Sequence, residues 1–340
     1  MLFRSAQLCD MLYSAAMERP YADVGHLLDF TNKAIELLDI LEWQQPEEIL
    51  PLVLNQLVNS RGGEEQGQWR HPIDLLTPIN QASADLPELL RQGYGKTWDD
   101  TKSIKQALLS DYPLVTMSAL REAITQGAKP SQLSKALACA AASRVARFGS
   151  ANELGDWITV LHTFSYCNAV DQAVQRCPTA EVTRGIFHGA ASIYFDRFLN
   201  VPPAKLPGER PTDELHLESS DPSELIENFL IALDGQHEGQ SAARAVARYL
   251  SLGHDITPMF DAMTYAAVRE DADFHTMQMV EAGIKVYLAW ANEPEGDEIL
   301  IGVARYLAAH SPTPRARLQT ANIALRLHRG DNLAEGDGEE

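Results

Sequence analysis

Three histidines stand at matching places in a chain that repeats itself. His26 is followed six residues on by Asn32, His162 by Asn168 and His275 by Glu281. Each histidine trails an Ala-Ala pair and an arginine: Ala15, Ala16 and Arg19; Ala140, Ala141 and Arg144; Ala266, Ala267 and Arg269. Imidazole is the side chain that ligates transition metals or moves a proton near neutral pH. Three imidazoles with one carboxylate or water would complete a four-donor shell for zinc or suit non-haem iron. Glu281, Glu36 and Asp29 are the candidate carboxylates. The separations match no local ligand motif such as HExxH, so a shared ion would require the fold to gather the three rings.

Helical geometry limits which neighbours can assist. Six residues on lies about 120° round a helix, whereas three or four residues on shares a face. Asn32, Asn168 and Glu281 therefore cannot join the histidine of their own helix and are expected to hold a neighbouring helix or loop. Asp29, Ser165 and Gln278, three residues on, can orient the unused imidazole nitrogen. Asp156, Asp271 and Asp273 read as helix N-caps, which puts His162 and His275 in first helical turns, where the dipole favours neutral imidazole. The structural alternative makes each histidine a joint that hydrogen-bonds across helices.

Further candidates lie outside the repeat rule. Pro72 biases His71 toward extended backbone in WRHP at 69–72. His188 and Tyr194 form a candidate acid/base pair near His162, in a helix whose Gly189, Ala190 and Ala191 admit a close helix or a flat ligand. Arg144, Arg147, Arg184 and Arg197 could clamp an anion, although pairing with the abundant acids is the plainer role. His216, His237, His254, His310 and His328 read as surface residues.

The elements that must position these groups are helices. Apolar residues recur at spacings of three and four, as in Leu27, Leu28, Ala34, Ile35, Leu38 and Leu41, and alternating strand patterns are absent. Pro46, Pro178 and Pro294 punctuate the three copies just before expected helix starts. The reading is an all-α protein of three related helical-hairpin units at 1–126, 127–252 and a shortened 253–330, followed by an acidic disordered tail at 331–340. Arg61–Gln68 and the proline-rich Val201–Asp221 read as loops, the second long enough to cover a site.

Composition narrows the partners. A net charge of −19 repels phosphate backbones and anionic lipid, so neither nucleic acid nor a membrane surface is expected. With no secretory pattern and no long apolar run, the expected location is the cytoplasm. Cys9, Cys139, Cys167 and Cys177 show no zinc-ligand spacing and read as buried thiols. No GxGxxG, Walker loop or GxSxG occurs.

Five strings carry a family resemblance: GHLLDFTNKAIELLD at 25–39, WRHPIDLL at 69–76, LHTFSYCNAVDQAV at 161–174, FHGAASIYFDRFLNVPPA at 187–204 and SPTPRARLQTANIALRLHRG at 311–330. They resemble the all-helical region that follows a Rieske-type ferredoxin domain in some bacterial proteins. In helical content and scattered histidines the chain is also similar, more faintly, to questin-oxidase-like proteins. No cysteine here begins a Cys-x-His or Cys-x-x-His pair, so this chain holds no Rieske iron–sulfur cluster. The resemblance implies a ferredoxin-type redox partner feeding electrons to chemistry at the histidines. The expected function is an oxidoreductase, or a domain associated with one, whose pocket of His26, His162 and His275, with His71 and His188, takes a metal ion or a small aromatic substrate. The alternative is a noncatalytic helical scaffold.

Overall fold

The computed structural model describes residues 2–149, 151–210, 215, 219–236, 238–291 and 293–330, and among them every regular element is helical. The α-helices are α1 (Leu2–Ala16), α2 (His26–Ile40), α3 (Pro46–Ile49), α4 (Pro51–Asn59), α5 (Leu76–Gly93), α6 (Thr101–Leu108), α7 (Pro113–Gln126), α8 (Pro130–Ala146), α9 (Leu154–Arg176), α10 (Ala180–Thr183), α11 (Gly185–Asp196), α12 (Pro222–Asp234), α13 (Gly239–Ser251), α14 (Thr257–Arg269), α15 (Phe274–Trp290), α16 (Gly296–Ala309) and α17 (Ala316–His328). The protein is all-α, as the periodicity predicts. The expected tail at 331–340, together with His216 and His237, lies outside the described residues.

The chain divides into two compact units, 1–204 with 285–299, and 205–284 with 300–340. These limits do not coincide with the repeat boundaries at 126/127 and 252/253.

In the first unit α8 and α9 form the centre, packed on each other and on α11. Both are buried nearly all round: α8 through Leu133, Ala136 to Ala142 and Val145, α9 through Trp157, Leu161, Phe164, Tyr166 and Val170. A helix apolar on every side must be enclosed by others, and the Ala-Ala signature at Ala140 and Ala141 is part of that enclosure. Glycine sets the close approach of α11: a Cβ at Gly189 would stand 2.8 Å from Leu137 Cδ2 and 3.0 Å from Cys167 Sγ, and one at Gly185 would stand 2.7 Å from Met17 Sδ. The small residues of α11 thus receive helices rather than a flat ligand. All four cysteines are buried and unpaired in disulfides.

In the second unit α12 packs on α13 and α14. Glu270, 5 % exposed, accepts from Thr313 and pairs with Arg269 at 3.0 Å and Arg315 at 2.9 Å, tying the end of α14 to the start of α17. Asp271, expected to cap the helix of His275, instead accepts the backbone N–H groups of Ala316 and Arg317 and caps α17. Asp273 keeps the expected role, accepting from the His275 N–H at 3.0 Å. Gly330, at φ +83°, takes the left-handed conformation just after α17.

Candidate functional site

His26 opens α2, and a left-handed turn puts it there. Tyr21, Asp23 and Val24 have φ near +50° and Gly25 has φ +96°. Such a run stores strain, most of all at β-branched Val24, and strain of this kind collects at functional positions. The turn is pinned by the Asp23 N–H donating to the Arg61 carbonyl at 2.8 Å and by the Gly63 N–H donating to the Pro20 carbonyl at 2.6 Å. Gly25 is required on two counts, its positive φ and its neighbours: a Cβ would lie 3.0 Å from Tyr166 Cβ and 3.3 Å from the His162 carbonyl oxygen. The glycine thereby lets the start of α2 sit directly against α9.

That approach brings two of the predicted histidines together. The rings of His26 and His162 meet edge to face with centroids 4.4 Å apart, and Phe30 stacks on His26 at 5.4 Å. Both histidines are half-buried. His162 is not in a first turn. Glu153, in a capping box with Asp156, starts α9 three residues earlier than Asp156 would, and His162 falls in the third turn.

His275, in the second unit, is the second residue of α15, and its Nδ1 lies 2.9 Å from Asp273 Oδ2. A carboxylate on one imidazole nitrogen fixes the ring and leaves Nε2 as the ligating or proton-carrying atom. His310, read as a surface residue, is half-buried in the same unit: it stacks on Tyr306 at 4.1 Å, and burial first of all depresses its pKa.

The assisting residues follow the helical geometry in part. Asn32, 1 % exposed, accepts from the Tyr13 hydroxyl at 2.8 Å and so ties α2 to α1. Asn168 is as deeply buried, yet neither side-chain polar atom has a hydrogen-bond partner. Ser165 donates to the His162 backbone carbonyl rather than to the ring. Asp29 is buried in α2, and Glu281 lies in α15 in the second unit. Glu36 is drawn away from ligand duty by Lys33 and Lys285; burial works against its charge, but those lysines hold its pKa below the usual carboxylate range.

The proposed pairing of His188 with Tyr194 does not form. The two stand six residues apart on α11, the separation that puts groups on different faces. His188 is 1 % exposed with Nδ1 3.3 Å from the Tyr166 hydroxyl, and burial, aided by Arg184, lowers its pKa to about 3. It is a neutral core histidine. Tyr194 instead lines a cavity of about 380 Å³ together with His71 and Asp196. Of the four arginines, Arg197 pairs with Asp111 at 2.7 Å and Arg147 with Glu298 at 3.8 Å, while Arg144 donates to the Leu109 carbonyl and Arg184 to that of Glu181. Ion pairing or helix-end bonding is their role.

Sequence reasoning missed Asp196. It is 3 % exposed, and burial raises its pKa to about 8. The available signal was an acid closing an otherwise apolar helix, GIFHGAASIYFD at 185–196. No family model, curated protein or solved structure matches the chain.

Proposed function

We propose that this is a metal-binding protein of oxidoreductase type, in which His26, His162 and His275 hold one transition-metal ion. The reading is carried by the edge-to-face pairing of His26 and His162 at 4.4 Å, built by a strained turn and a glycine whose positive φ and close neighbours disfavour any side chain. The repeat in the sequence supplies His275 as the third donor. Three imidazoles would leave a position for water or substrate, the arrangement of a catalytic rather than a closed site. Zinc there would act as a Lewis acid, and iron would accept electrons from a ferredoxin-type partner and act on a small organic substrate.

Elemental analysis of untagged protein tests the reading. About one zinc or iron per chain is expected, with His26→Ala and His162→Ala each lowering the content at least tenfold while the fold persists. A metal-free preparation that takes up neither ion and melts identically with and without chelator sinks it.

The Asn32–Tyr13 bond favours a second reading, a scaffold in which the repeat marks helix joints. It predicts that the three His→Ala variants lose similar melting temperature and that added metal restores nothing.

A further inference from the structure

In the second unit, α17 is a helix that buries none of its own residues. Leu318, Ile323, Leu325 and Leu327 stay 38–57 % exposed. Most helices in globular proteins owe their stability to the apolar face they pack away, and α17 lacks that support in a single copy. At 100° per residue, Leu318 and Leu325 share one side and Ile323 and Leu327 the opposite side. A flat lipid surface would cover one of those sides, whereas a valley between two helices has two walls. Charge narrows the partner further. Residues 316–330 carry Arg317, Arg326 and Arg329 and no acid, in a chain whose acids outnumber its lysines and arginines by 47 to 28.

The root of α17 is fixed beside a face of the opposite charge. Asp271 caps the helix, and Arg315 pairs with Asp234, the last residue of α12, and with Glu270, just after α14. α12 and α14 pack on each other, joined at their ends by Asp234 and Arg269 at 3.1 Å, and Arg269 lies over the Tyr265 ring at 5.8 Å. The outward stripe of α12 runs Glu227, Ile231 and Asp234, and that of α14 runs Asp261, Tyr265 and Val268, all exposed. Ile231, Tyr265 and Val268 are 52–59 % exposed, so α17 of the same copy does not cover them. A twofold axis covers helix and valley together, because the root of each helix already stands at the edge of the face that the other copy's helix would take.

We propose that the protein forms a twofold homodimer in which α17 of each copy lies along the α12–α14 valley of the other, its leucines and isoleucine against Ile231, Tyr265 and Val268 and its Arg326 and Arg329 toward Glu227 and Asp261. The same patch serves on both subunits, as a closed twofold assembly requires. The dimer does not depend on a metal at the histidines.

Sedimentation equilibrium of the full chain, run in chelator, tests this. Twice the chain mass is expected at about 100 µM protein. The substituted side chains are exposed in a single copy, so helix content by circular dichroism should be unchanged in every variant. Leu318→Glu with Leu325→Glu, and separately Val268→Glu, should each weaken association at least about tenfold. Arg326→Glu with Arg329→Glu should weaken it as well, as should Glu227→Arg with Asp261→Arg, and all four changes in one chain should restore the dimer. A monomer at that concentration overturns the proposal, including one whose α17 binds phosphatidylserine vesicles or polyglutamate instead. A dimer indifferent to Val268→Glu, or one that the combined reversal does not restore, overturns the placement of α17 in the valley. Chelator in every arm keeps a failure here distinct from a failure of the metal reading.

Discussion

Asn32 and Asn168 occupy the same place six residues after a histidine, and their side chains meet opposite circumstances. Asn32 accepts the Tyr13 hydroxyl, whereas Asn168 bonds nothing. Removing one partner of a buried bond strands the other, but removing an already unpaired amide strands nothing. Asn32→Leu is expected to cost about 1–3 kcal/mol by leaving the fully buried Tyr13 hydroxyl unpaired, and Asn168→Leu to be neutral or stabilising. Denaturant midpoints of the two variants decide it, and equal destabilisation would contradict the assignment.

Buried His188 and Asp196 set a pH profile at this same scale. His188 has a folded pKa of about 3 against 6.5 unfolded, so its contribution to stability is present above pH 6.5 and is lost as pH falls toward 3. Asp196 has a folded pKa of about 8 against 3.8 unfolded, so its contribution is full below 3.8 and is lost as pH rises to 8. Between 3.8 and 6.5 the two slopes cancel, and above 6.5 only the loss from Asp196 remains. Stability should therefore decline by about 2 kcal/mol from pH 6.5 to 8. Melting curves of Asp196→Asn should lack that decline; if they keep it, another group is responsible.

The helices meet through glycine and alanine at the points that matter for the site. Gly189 has no space for a methyl against Leu137 and Cys167, so Gly189→Ala should destabilise by about 1–3 kcal/mol through overpacking. Gly25→Ala adds a left-handed backbone penalty to its contacts with Tyr166 and the His162 carbonyl. The two variants should separate in metal uptake. Gly189→Ala is expected to keep the affinity of the histidines and Gly25→Ala to lose it, because Gly25 alone sets the start of α2 against α9. A titration with zinc after both proteins are shown to fold distinguishes them, and equal retention would remove the turn from the site.

Over the whole molecule the excess of acids opposes compaction. With a formal charge of −19, self-repulsion is screened as salt rises and the Debye length shortens from about 30 Å at 0.01 M to about 3 Å at 1 M. The melting temperature is expected to rise over that range at pH 7, by several degrees; a fall would show that local ion pairs such as Arg269–Glu270 and Arg197–Asp111 outweigh the net charge.

The sequence by itself determined the helical class, the prolines that introduce helices and the burial of the cysteines, because periodicity and local backbone preference are properties of short segments. It also singled out His26 and His162 through the repeat. Tertiary structure alone decided that their rings touch, since that depends on a left-handed turn at 21–25 and on a glycine against a helix more than a hundred residues away. It moved the start of α9 to Glu153, gave Asp271 to α17, divided the chain at 204/205 and enclosed His188 with Tyr166. Asp196 shows the reason most plainly. An aspartate at a helix end is ordinary in sequence, and only the packing of α9 and α11 around it removes the water that would have kept it charged.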